Sequence, residues 1–144
     1  METGVAAGWS SAAILKSLQI NGSGNLYSTD LPYKNRPGAD QAIAILVEEE
    51  LKVNWYLDTN GDRIGLPKIV KEVEKIDIFH FDSDKSYSGR EFTFDTVKRK
   101  LAKDSIVIFD DIQDNFHFKD LVKDQALNYK IFEFQNKYFG VIFL

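Results

Sequence analysis

With 144 residues, 44% hydrophobic and 28% charged, the chain is long enough for one soluble globular domain with a sizeable core and too short for two. Its net charge of -4 gives no electrostatic footprint for a phosphate backbone, and its lack of cysteine excludes disulfides, thiolate nucleophiles and zinc-thiolate sites. No apolar run approaches the roughly 20 residues that span a bilayer and no basic-then-apolar leader opens the sequence, so a cytoplasmic protein with small-molecule rather than nucleic-acid or membrane partners is expected; a homodimer is left open.

Met1 to Ser10 reads as a strand end, a glycine turn and a helix start. Gly4 and Gly8 stand where the backbone must turn sharply and admit a ligand, because glycine takes positive φ at little cost. Ser10 and Ser11 offer N-caps to a helix carrying Ala12, Ala13, Ile14, Leu15 and Leu18, which Asn21-Gly22-Ser23-Gly24 stops. Asn25 to Asp30 is a short strand ending in an acid. Leu31 to Gly38 is a loop and Ala39 to Leu51 a second helix, with Ala42, Ile43, Leu46 and Val47 on one side and Glu48-Glu49-Glu50 as its solvated end. Val53 to Leu57 forms a third strand and Asp58 to Asp62 a turn; Pro67 opens a helix with Ile69, Val70 and Val73 on one face.

Ile76 to Asp82 is the fourth strand, and it runs into the polar cluster Asp82-Ser83-Asp84-Lys85-Ser86-Tyr87. Ser88 and Glu91 have capping-box spacing for a helix whose Phe94, Val97 and Leu101 share a face. Lys103-Asp104-Ser105 turns the chain into the buried-type strand Ile106 to Phe109, which again stops at acids, Asp110-Asp111. A helix from about Asn115 to Ala126 follows, with Asp114 and Asn115 as its N-cap region. Tyr129 to Phe134 and Tyr138 to Leu144 then form an antiparallel hairpin about Gln135-Asn136-Lys137.

Strands alternating with helices predict an α/β fold: a Rossmann-like, doubly wound, mainly parallel sheet of about seven strands, closed by the hairpin, in three α/β/α layers. Ligands of such sheets bind beyond the carboxyl ends of the strands. Those ends carry Gly4 to Gly8, Asp30, Asp62, Asp82 and Asp110-Asp111. A single domain spans 1–144, and because hardly three residues precede Gly4 where strands usually have five or six, it reads as truncated at its first strand.

These residues resemble the class I S-adenosylmethionine-dependent methyltransferases along essentially the whole chain. Glu2 to Ser10 is similar to the family's first motif, an acid followed by glycines beside the methionine part of the cofactor. The resemblance implies that Glu2, Gly4, Gly8, Trp9, Ser10, Asp30, Asp62 and Asp82 form the cofactor site, with Asp30 on the ribose hydroxyls and Gly61-Asp62 beside the adenine. Asp82-Ser83-Asp84-Lys85 is similar to a motif of small-molecule O-methyltransferases. It implies Asp82, Asp110 and Asp111 as ligands of Mg²⁺ or another divalent cation and Lys85, with Asp82, as catalytic residues. Three carboxylates without cysteine suit a hard cation, and Lys85 could take a proton only if its pKa is depressed. The expected activity is methylation of an oxygen on a small molecule.

Simpler readings stand beside these. Lys85 can pair with Asp84 on the surface. His80, between Phe79 and Phe81, reads as a packed histidine; His117 reads as exposed, with a base as the alternative. Trp9, Tyr87 and Phe116 fit core positions or a pocket wall. Two other functions are weighed: a non-catalytic or decayed binding module, and a DxD-type magnesium phosphatase with Asp82 as nucleophile, whose motif belongs on a first rather than a fourth strand.

Overall fold

The computed structural model describes residues 1–33 and 35–144; Lys34, in the loop expected from Leu31 to Gly38, lies outside the described residues. Its strands are β1 (Glu2–Thr3), β2 (Leu26–Thr29), β3 (Trp55–Asp58), β4 (Ile76–Phe81), β5 (Leu101–Phe109), β6 (Asn128–Phe134) and β7 (Lys137–Phe143). They form one sheet in the order β3-β2-β1-β4-β5-β7-β6, parallel except where β7 runs antiparallel to β5 and β6. This is the expected doubly wound topology. The chain winds outward from β1 to β3, returns beside β1 as β4 and then winds the other way, so the strand order reverses between β1 and β4 and a crevice opens there.

The helices are α1 (Trp9–Asn21), α2 (Ala39–Ala42), α3 (Asp62–Glu72), α4 (Tyr87–Val97) and α5 (His117–Asp124). On one face α3, α4 and α5 lay Leu66, Ile69, Val97 and Phe118 against Phe79, Phe81, Val107, Phe109 and Ile142. On the other, α1 and the segment after α2 pack Leu15, Val47 and Leu51 around Val5 and Leu26. No helix among the described residues is long and apolar enough to cross a membrane. The hairpin turns through Gln135 and Asn136, both at positive φ, the two-residue geometry that matches the twist of its strands.

Several local expectations are corrected. The helix predicted from Ala39 to Leu51 ends at Ala42, because the next amides bond to the glycine turn instead: Ala44 N–H donates to Ala6 O (2.8 Å) and Leu46 N–H to Ala7 O (3.0 Å). Val47 and Leu51 still bury, now from an irregular segment and a 3₁₀ turn over Glu49–Asn54. Pro67 does not open α3. That helix starts at Asp62, where Gly65 N–H already reaches Gly61 O (2.7 Å), and the proline sits inside it. The cap of α4 is Ser86, which accepts from Gly89 N–H (3.0 Å), rather than Ser88 with Glu91. Leu101 leaves the helix to begin β5, and Lys103-Asp104-Ser105, expected as a turn, lies within that nine-residue strand.

Candidate active site

The crevice is built on Gly4. At φ 84° its backbone lies so close to the end of β4 that a Cβ there would overlap the Asp82 carbonyl, so a side chain would force the strand ends apart. Asp30, at the end of β2, fixes the rest of the turn: its Oδ2 accepts from Val5 N–H (2.8 Å) and Ala6 N–H (2.5 Å), its Oδ1 from Leu31 N–H (2.5 Å). Asp62, the first residue of α3, accepts from the Thr29 hydroxyl (2.6 Å) and from the Ser83 hydroxyl. Burial pushes its carboxyl above the usual range, with help from Asp30 and Asp84, while the two hydroxyls oppose.

Together these groups bound a cavity of about 730 Å³. Its polar lining includes Asp30, Asn60, Asp62, Asp82, Asp84, Arg36 and Arg63, and its apolar lining Leu31, Pro32, Ile43, Ile45 and Ile64. Of the residues expected at a cofactor site, Gly4, Asp30, Asp62 and Asp82 line it. Glu2, Gly8, Trp9 and Ser10 do not. Glu2 is fully buried beneath α1, where its carboxylate accepts from the hydroxyls of Ser10 (2.6 Å), Ser11 (2.5 Å) and Ser28 (3.1 Å), with His80 Nδ1 at 3.6 Å. Burial pushes this acid up, but His80, Ser10 and Ser11 outweigh it and leave the pKa lowered. The two serines therefore do not cap α1; Gly8 occupies the cap in a left-handed conformation and packs against Val47. Trp9 is 76% exposed.

The second expected cluster comes together at the ends of β4 and β5. Asp82, Asp110 and Asp111 place carboxylate oxygens within 4.8 Å of one another. Lys85 Nζ reaches Asp82 Oδ1 (2.5 Å), Asp110 Oδ2 (2.9 Å) and Asp111 Oδ2 (3.3 Å), so it does not form the expected surface pair with Asp84. Burial would lower this lysine, but Asp82 and Asp110 more than compensate and its pKa is raised. The depressed pKa that a lysine base needs does not arise here. Asp82 is pushed up to about 6 by burial and by Asp110, although Lys85 opposes. Asp111 is held down to about 2 because Lys137 and Lys85 overcome its burial.

Arg90, to which sequence reasoning gave no role, is 1% exposed and supports this corner. Its guanidinium donates to the carbonyls of Asp110 (3.0 Å) and Asp111 (2.9 Å) and lies over the Phe81 ring. The cap position of α5 is Phe116 rather than Asp114 or Asn115; Asn115, one residue earlier, accepts from His117 N–H (3.0 Å), and its Nδ2 donates to Lys85 O (2.7 Å). His117 is buried, not exposed, with its ring among Tyr87, Phe109 and Arg90; burial, then Arg90, lowers its pKa to about 4. Phe116 and Tyr87 are exposed and line no part of the cavity.

Against known proteins, the chain matches a family model described as a methyltransferase domain over residues 1–112. No curated protein matches it significantly by sequence. Among solved structures it is similar to an O-methyltransferase from Bacillus cereus in complex with SAH, at 14% identity and a TM-score of 0.75, covering 99% of this chain and 72% of that one. An SAH-bound methyltransferase from Podospora anserina is similar at 11% identity and 0.71, covering 99% and 70%. The TDP-rhamnose 3'-O-methyltransferase CalS11 is similar at 17% and 0.70, covering 96% and 69%. At these identities the likeness establishes the fold, a mainly parallel sheet with an antiparallel β7. With the domain match spanning 112 of 144 residues, the chain belongs to the class I S-adenosylmethionine-dependent methyltransferases.

Proposed function

We propose that the crevice between β1 and β4 binds S-adenosylmethionine and that the domain methylates an oxygen of a small molecule. The observation that carries this reading is the chemistry of the cavity: four carboxylates, a glycine turn and apolar side chains, with Arg36 and Arg63, around a volume typical of small-molecule sites. A sulfonium with an amino group and two ribose hydroxyls is cationic and rich in donors, so acceptors are what it needs. When bound, S-adenosylmethionine supplies an electrophilic methyl group. Asp30 and Asp62 would hold hydroxyl and amine donors, and Leu31 and Ile64 would exclude water from the apolar end.

Oxygen as the acceptor is supported by neighbours that are O-methyltransferases. Among Asp82, Lys85, Asp110 and Asp111, only Asp82 lines the cavity. On this reading it would take the proton from an acceptor hydroxyl. Asp82, Asp110 and Asp111 have the donor chemistry for a hard cation, but the ammonium of Lys85 stands where they converge. The arrangement as folded does not fit a divalent ion.

Calorimetric titration with S-adenosylmethionine and S-adenosylhomocysteine tests the reading; a folded sample that binds neither would sink it. Asp30→Ala removes the acceptor of two turn amides as well as a cavity carboxylate, and is expected to weaken both ligands by about tenfold or more. Unchanged affinity would remove Asp30 from the site.

A further inference from the structure

An ammonium presents three N–H donors, and that of Lys85 meets three carboxylates, Asp82, Asp110 and Asp111, at 2.5, 2.9 and 3.3 Å. The residue is also anchored through its main chain. Its carbonyl accepts from Asn115 Nδ2 at 2.7 Å and from Arg90 Nε at 3.4 Å, tying the turn after β4 to the start of α5 and to the interior of α4. Its side chain is only 25% exposed, and Asp110 beneath it 10%. This is a built position, unlike that of a free surface lysine.

We propose that Lys85 is the resident cation of this carboxylate triad, standing where a divalent ion would be held and keeping the triad closed to metal. A divalent ion coordinated by three carboxylate oxygens at about 2.1 Å would lie in the space the ammonium occupies. Two cations so close repel strongly in a partly buried site, so one must leave. Lys137 strengthens the case. Its Nζ lies 3.1 Å from Asp111 Oδ1, so the three carboxylates already face two positive charges.

The proposal is tested without cofactor, so its outcome is independent of whether S-adenosylmethionine binds. Mn²⁺ is titrated into the whole chain by calorimetry and by the electron-spin-resonance signal of the free ion, for the parent, Lys85→Met and Lys85→Arg. The parent and Lys85→Arg should bind only in the millimolar range or weaker. Lys85→Met, which keeps the stem and loses the charge, should bind at least about tenfold more tightly, and adding Asp110→Asn to it should abolish the gain. Micromolar Mn²⁺ binding by the parent overturns the proposal. So does a folded Lys85→Met that binds no better than the parent, or a gain that survives Asp110→Asn. Should Lys85→Met fail to fold, Lys85→Gln takes its place and the parent titration still decides.

Discussion

Arg90 shows how a single buried charge organises the site through the main chain of its residues. Its guanidinium satisfies the carbonyls of Asp110 and Asp111 just where Asp111 takes a left-handed backbone, φ 50°. Arg90→Leu leaves both acceptors unpaired and is expected to cost about 2–3 kcal/mol in urea unfolding. Arg90→Lys should recover little, since one ammonium cannot span two carbonyls as the fork does. A loss below about 0.5 kcal/mol for Arg90→Leu would mean that water replaces the guanidinium. His117 links its burial to the pH dependence of stability. Its folded pKa of about 4 lies below the ordinary value near 6.5, so between those pH values the unfolded chain binds more protons than the native one. Stability must therefore fall as pH drops from 6.5 toward 4, by about 3 kcal/mol from this group. Asp82, raised to about 6, acts in the opposite sense, so the parent's profile alone is not diagnostic. The difference between the parent and His117→Phe is: the variant should gain on the parent steadily over that window, and parallel melting curves would contradict the buried neutral histidine.

At the scale of elements, the glycine turn carries the sharpest expectation. Gly4 and Gly22 both have positive φ, but a Cβ at Gly4 would strike the Asp82 carbonyl, whereas one at Gly22 meets nothing within 4 Å. Gly22→Ala should cost only the left-handed conformation, about 1–2 kcal/mol. Gly4→Ala adds a backbone clash, is expected to exceed Gly22→Ala in denaturation by about 1–3 kcal/mol, and should also impair ligand binding at the crevice. Equal costs would mean that β1 and β4 separate freely. The same turn shows what was legible in the sequence. Acids ending β2, β4 and β5 marked one edge of the sheet, and Gly4, Asp30, Asp62 and Asp82 do line one cavity. Glu2 was legible as important but not as buried, because its partners Ser10, Ser11 and Ser28 come from two other elements. The helix expected after Ala39 failed for a similar reason. Its apolar spacing was genuine, since Val47 and Leu51 bury, yet the amides of Ala44 and Leu46 prefer the carbonyls of Ala6 and Ala7, a tertiary choice that periodicity does not encode. Arg90 was not legible, because no local signal tells that two strand-end carbonyls sit beneath it.

Across the whole molecule the two faces of the sheet are unequally covered, and the sequence foretold only half of this. Ile106 to Phe109 is apolar on both sides of the strand, the pattern of a sheet buried on both faces, whereas Ile76 to Phe81 carries Asp77 on one side and His80 on the other. The inner alternate set, Phe79, Phe81, Val107 and Phe109, is covered by α3, α4 and α5. The other set shares its face with Glu2 and His80, and α1 shields that face only near β1 and β2. Register places Ile78 beside Ile106, Ile106 beside Phe143, Ile108 beside Val141 and Phe132 beside Phe139, an apolar surface across β4, β5 and β7 that reaches Phe132 on β6 beyond Asn128 and Lys130. Ile78, Phe132 and Phe134 are 52%, 51% and 64% exposed on it. A contiguous patch of this kind is larger than isolated surface hydrophobes produce and should bind an apolar dye in the native state. Anilinonaphthalene sulfonate fluorescence is therefore expected to rise on mixing with folded protein, well below the melting temperature. Ile78→Glu combined with Phe132→Glu should remove most of that signal while shifting stability by no more than about 1 kcal/mol, because both side chains are already half in water. Dye binding that survives the double substitution would place the patch elsewhere, with the groove of Phe116, Tyr129 and Ile131 beside α5 as the next surface to probe by the same means.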